Sequence, residues 1–111
     1  ANIEQRIKAS SPLIGQAICI GDRRPYNVAL IVLDPDMAAD LDPDDPDVCR
    51  QVEEGVERAN AQLSRVEQVK RFTILREDWQ PGGDELTPTM KLKRKPIHQK
   101  YAAEIEALYG G

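Results

Sequence analysis

Val28-Ala29-Leu30-Ile31-Val32-Leu33 is apolar at every position. A strand with one wet face alternates apolar and polar residues. An unbroken run therefore predicts a strand covered on both faces, at the centre of its sheet. The predicted strand spans residues 26–33. Just upstream, residues 15–20 (Gly-Gln-Ala-Ile-Cys-Ile) read as a second strand, and Gly21-Asp22-Arg23-Arg24-Pro25 reads as the turn between the two. A link this short makes them an antiparallel pair. Arg71-Phe72-Thr73-Ile74-Leu75 supplies a third strand.

Helices fill the intervals. Asn2 is placed to cap a short helix with Ile3 and Ile7 on its apolar face, and Ser10-Ser11-Pro12 stops it. Asp47 is the expected cap of a long helix on which Val48, Val52, Val56, Ala59, Leu63 and Val66 recur at three- and four-residue steps. Gly55 interrupts that helix at a cost of about 1 kcal/mol relative to alanine, which close packing against the sheet would explain. A last helix starts near Pro96, with Ile97, Tyr101, Ile105 and Leu108 on one face. The expected fold is a small two-layer α+β domain in the order α-β-β-α-β-α. About three strands, the first pair antiparallel, pack with three helices.

Residues 34–47 hold seven aspartates and three prolines, an acidic loop feeding a helix N-terminus where negative charge is favoured. The alternation of Asp40, Asp42 and Asp44 invites comparison with a calcium loop. Counting from Asp40, however, Asp45 stands where an EF-hand needs glycine and Gln51 where it needs glutamate. No metal site is expected. Cys19 and Cys49 are too far apart for a paired-cysteine motif and read as free thiols in a reducing compartment.

A chain of 111 residues fits one domain, residues 1–111. Its net charge of −4 argues against a dedicated nucleic-acid binder. The longest apolar run falls far short of the roughly 20 residues of a membrane span, and no signal-peptide pattern opens the chain. A first residue of Ala1 in place of methionine is what a processed chain, or a piece of a longer one, would show.

The chemistry concentrates in Thr87-Pro88-Thr89-Met90-Lys91-Leu92-Lys93-Arg94-Lys95, a loop leading into the last helix. Four cations fall within five residues, with His98 and Lys100 beyond. Taken alone, its composition favours a solvated basic face offsetting the acidic loop. His98 has no ligand-spaced partner and reads as a surface residue.

Glu85-Leu86-Thr87-Pro88-Thr89-Met90-Lys91-Leu92-Lys93-Arg94, running into Lys100-Tyr101 and Ile105, resembles the closing motif of adenylate-forming enzymes. It is most similar to the AMP-forming long-chain fatty-acyl-CoA ligase branch. Ser11-Pro12-Leu13-Ile14, Ile20-Gly21-Asp22 before Arg23-Arg24-Pro25-Tyr26, and the Ser64–Phe72 stretch extend the likeness over nearly the whole chain. Many relatives carry glycine before the lysine where this chain has Met90, a departure that suits the long-chain type.

The resemblance implies a mobile C-terminal lid domain working on an N-terminal ATP- and acyl-binding domain of the same polypeptide. In that setting Lys91 is the catalytic lysine for acyl-adenylate formation, after which the lid rotates for thioester formation with CoA. ATP with its Mg2+, CoA and a fatty acid are substrates of the intact enzyme. None is expected on the 111-residue chain alone, which should be inactive. Arg23 and Arg24, paired guanidinium groups on a turn, are candidate contacts for CoA phosphates. The implied enzyme is cytoplasmic, at most peripheral to a membrane. Two other readings stay open: a regulatory or ligand-binding α+β module using the Asp22–Tyr26 turn, and an RNA-binding domain using the Lys91–Lys100 stripe, which lacks stacking aromatics.

Overall fold

The apolar run does form the middle of a sheet. In the computed structural model, which describes residues 2–110, the elements are α1 (Ile3–Ala9), β1 (Ile14–Ile20), β2 (Asn27–Leu33), α2 (Pro46–Asn60), β3 (Val69–Leu75), α3 (Arg94–Lys100) and α4 (Ala102–Leu108). The sheet order is β1-β2-β3. β1 pairs with β2 antiparallel, from Ile20 opposite Val28 to Ile14 opposite Leu33. β3 pairs with β2 parallel, Leu30 opposite Thr73, and α2 lies on the connection that parallel pairing demands.

Both faces of β2 are covered. Val28, Leu30 and Val32 point toward a core shared with Ile18, Leu75, Trp79, Leu86, Ile97, Tyr101 and Ile105. Ala29 and Ile31 point toward a second core with Ile7, Ala17, Val52, Val56 and Ala59. The fold is α+β as expected. The helices divide between the two faces, α1 and α2 on one and α3 and α4 on the other, instead of forming a single second layer. Alternate residues of one strand thus serve two cores, which is why the run tolerates no polar residue.

Several boundaries move, each for a physical reason. The cap of α2 is Asp45, whose Oδ1 accepts the Asp47 N–H at 2.8 Å, and not Asp47; Pro46 fills the first helical position, where a missing N–H costs nothing. α2 stops at Asn60, so the apolar stripe does not extend to Val66, which lies in a turn and is 87% exposed. Asn60 ends the helix because its side chain serves β3: Oδ1 accepts from Val69 N and Nδ2 donates to Val69 O, both at 2.9 Å. Gly55 packs against the end of α1, not the sheet; a Cβ there would stand 2.9 Å from Ser10 Oγ and 3.1 Å from Ser11 Cβ. The last helix begins at Arg94 and breaks at Tyr101, whose φ of −107° and ψ of 25° divide it, giving four helices where three were expected.

The first helix matches its expectation, with Asn2 Oδ1 accepting the Gln5 N–H at 3.1 Å. The acidic loop is explained locally. Asp34 Oδ1 accepts from the Asp36 and Met37 amides, Asp42 Oδ1 accepts from Asp44, and Arg76 pairs with Asp42 and Asp44. These aspartates shape turns. Among the described residues no helix is long and apolar enough to cross a membrane.

Candidate functional site

Residues 85–93 form a short hairpin. Lys93 N donates to Glu85 O and Thr87 N to Lys91 O, each at 2.8 Å, with Leu86 and Leu92 bridged antiparallel between them. Its tip is a tight turn closed by Met90 N donating to Thr87 O at 2.9 Å. Thr87 Oγ1 accepts the Lys91 N–H at 3.0 Å and lies 3.1 Å from Thr89 Oγ1. Met90 follows the turn with a φ of 67°, in the left-handed region. A three-residue hairpin loop of this kind needs a left-handed residue there, and glycine takes it with least strain. That accounts for the glycine expected before the lysine in many relatives. Met90 performs the same backbone task under strain, with its side chain half exposed.

Beneath the tip the hairpin is tied down. Leu86 is fully buried. The Glu85 side chain, 7% exposed, accepts from Lys100 Nζ at 2.6 Å and from Tyr101 OH at 3.3 Å through Oε2. Tyr101 OH in turn accepts the Trp79 indole N–H at 3.1 Å. The hydrogen bond it donates to Glu85 raises the Lys100 ammonium above its ordinary value, and burial raises the Tyr101 phenol.

The basic stripe is mostly committed. Lys93 Nζ donates to Gly83 O at 2.9 Å. Arg94 grips Glu4 with two bonds, 2.8 and 2.7 Å, and the Glu4 Oε2 that takes one of them also accepts the Cys19 N–H of the edge strand β1 at 2.8 Å. Burial first, then Glu4, push the Cys19 thiol up to about 11, so it is a packed and protonated residue. Lys91 and Lys95 differ: among the described residues neither exposed ammonium has a hydrogen bond or ion pair. Lys91 sits at the hairpin tip and borders a surface depression with Glu4, Lys8, Gln16 and Arg94. His98 is exposed, as expected.

The two candidate arginines part company. Arg23 is exposed with a φ of 60°, and its side chain has no partner among the described residues. Arg24 forms a two-pronged ion pair with Glu106 on α4 and lies 4.5 Å over the Tyr109 ring. Neither lines the depression beside Lys91, so the structure does not unite the three residues in one site. The sequence reading missed Glu4 and Trp79 as supports; a lone acid and a lone tryptophan carry no periodic signal. Glu85 and Tyr101 stood in the quoted motif, but their contact joins a loop to a helix and no spacing reveals it. Among the described residues no group of three or more histidines, cysteines or carboxylates is placed to hold a metal ion.

The chain belongs to the family of AMP-binding enzyme C-terminal domains, whose model matches residues 1–111. It is 50% identical, over 98% of its length, to a putative fatty-acid–CoA ligase, fadD11, of Mycobacterium tuberculosis, and covers 21% of that protein. It is 37% identical to the long-chain-fatty-acid–CoA ligase FadD15 of the same species, again over 98% of the chain and 20% of the relative. The chain thus spans about a fifth of the length of the curated relatives it matches. In fold it is similar to the A domain of a carboxylic acid reductase from Segniliparus rugosus, solved with AMP and a co-purified carboxylic acid. The TM-score is 0.79 at 22% identity, over 97% of this chain and 17% of that one.

Proposed function

We propose that residues 1–111 are the mobile C-terminal lid of an AMP-forming fatty-acid–CoA ligase, and that Lys91 is its catalytic lysine. The observation that carries this reading is the free Lys91 ammonium, held out on a braced hairpin while Lys93, Arg94 and Lys100 are each engaged. Identity of 50% to a fatty-acid–CoA ligase supports the substrate class. The partner is the larger ATP- and acyl-binding domain of the same polypeptide, and the intact enzyme works in the cytoplasm.

The chemistry needs such a group. A carboxylate oxygen attacks the α-phosphorus of ATP, the bond to the bridging oxygen of the β-phosphate breaks, and pyrophosphate leaves. Two anionic groups must meet while negative charge builds. An ammonium delivered by the lid offsets their repulsion and orients the carboxylate. Mg2+ arrives with the ATP phosphates and neutralises part of their charge. The CoA sulfur then attacks the acyl carbon and AMP leaves. Lys91 has no role in that second step, so a rigid rotation of the lid can withdraw it and bring Arg23 and Arg24 toward CoA phosphates.

The test is Lys91→Ala in the full-length enzyme, with the two half-reactions measured apart. Adenylate formation should fall at least ~10²-fold, the scale for losing one preorganised electrostatic group. CoA attack on adenylate supplied ready-made should change little. Near-normal adenylation would show that the lysine is misassigned.

A further inference from the structure

We infer that Glu85 is a positioning residue for Lys91, acting through the hairpin it anchors; the inference rests on the catalytic role proposed for that lysine. A two-stranded hairpin is at best marginally stable alone in water, so one that must present a lysine in a single pose needs bracing from below. Glu85 supplies it at both levels of structure. Its backbone carbonyl closes the hairpin on Lys93, two residues from Lys91. Its side chain bonds Lys100 and Tyr101, at the junction of α3 and α4.

The placement of this carboxylate is unusual. It lies on a loop, yet it is buried, and burying a carboxylate is costly unless its oxygens are matched. Here one oxygen is matched twice, and the chain extends a step further from Tyr101 to Trp79. A lid that swings between two docked states carries its catalytic group through both. Rigidity within the lid is what lets a whole-domain rotation place one ammonium accurately. The Glu85 brace transmits the orientation of the helical layer to the lysine tip. Loosening it leaves the lysine imprecise.

Positioning predicts a specific kinetic pattern in the full-length enzyme. Glu85→Ala should slow adenylate formation about 10- to 100-fold, the range for misplacing a reacting group by an ångström or so. Thioester formation from supplied adenylate should stay within about twofold of the parent. Tyr101→Phe and Lys100→Met, each removing one strut, should give smaller losses confined to the same half-reaction, and they keep the test open should Glu85→Ala fold poorly. The decisive measurement is a double-mutant cycle. In a Lys91→Ala background, Glu85→Ala and Tyr101→Phe should cause no further loss of adenylation, since there is no ammonium left to position. Multiplicative losses in the cycle, or equal losses in both half-reactions, would overturn the inference in favour of a general folding role. Normal adenylation in Glu85→Ala, with Lys91→Ala defective, would overturn it while leaving the catalytic lysine in place. Normal adenylation in Lys91→Ala would remove both.

Discussion

Arg24 and Glu106 lie 82 positions apart in sequence and meet in a two-pronged ion pair that fastens the β1–β2 turn to the last helix. The guanidinium also stacks on Tyr109, whose hydroxyl donates to the backbone of Ile20 and Tyr26. Glu106 and Tyr109 are thereby stitched onto the end of the sheet where β1 turns into β2.

That pairing separates two arginines that the sequence presents as equals. On the proposed function, Arg23→Ala in the full-length protein should raise the apparent CoA constant and leave the thermal midpoint unchanged, because its side chain has no partner among the described residues. Arg24→Ala should lower the thermal midpoint by freeing α4. A CoA constant indifferent to Arg23→Ala would remove that residue from the proposed CoA path.

The pair also has a pH signature. The hydrogen bond from Arg24 holds the Glu106 carboxyl below its ordinary value of 4.5. A carboxyl depressed in the folded state contributes stability above its unfolded value and loses it as pH falls through the folded one. Glu106→Gln should therefore melt at a lower temperature than the parent near neutrality, and the two melting curves should converge as pH drops below that ordinary value. A gap that persists at acid pH would mean the pair acts through packing instead of charge. High salt should also narrow the gap, as for any exposed pair.

Met90→Gly should stabilise the hairpin by up to about 1 kcal/mol, the scale of relieving a left-handed non-glycine residue. Met90→Val should destabilise it, since β-branched side chains are the poorest fit to a positive φ. Denaturant titration of the three proteins gives the order directly. A Met90→Val protein as stable as the glycine variant would show that the turn adapts.

Gly55→Ala sets two effects against each other. Alanine favours a helix by about 1 kcal/mol over glycine, but its Cβ would press on Ser10 and Ser11, where overpacking costs about 1–3 kcal/mol. Net destabilisation is expected, and a rise in the thermal midpoint would show that the end of α1 yields.

The parts of this architecture legible in sequence are those written by periodicity and local chemistry. Val28 to Leu33 announced the central strand, Asn2 the first cap, and Gly21 to Pro25 the turn. The misread positions were decided at a distance. Asn60 ends α2 because Val69 needs its amide, so the apparent stripe reaching Val66 had no way to reveal the stop. Tyr101 breaks the last helix at the point where it meets Glu85 and Trp79. The lysine motif was visible as a string of residues, whereas the contrast between an idle Lys91 and the engaged Lys93, Arg94 and Lys100 depends on Gly83, Glu4 and Glu85. Only folding brings those within reach.

Trp79 is the single tryptophan of this chain, and its indole N–H ends on the phenol that touches Glu85. The domain therefore carries a built-in optical gauge. Indole emission depends on the polarity and hydrogen bonding around the ring, so wetting or release of this buried group would shift its spectrum. In the isolated 111-residue chain that emission comes from one place, directly under the hairpin. Loosening of the lysine's support can then be followed by light, without ATP, acyl chain or partner domain.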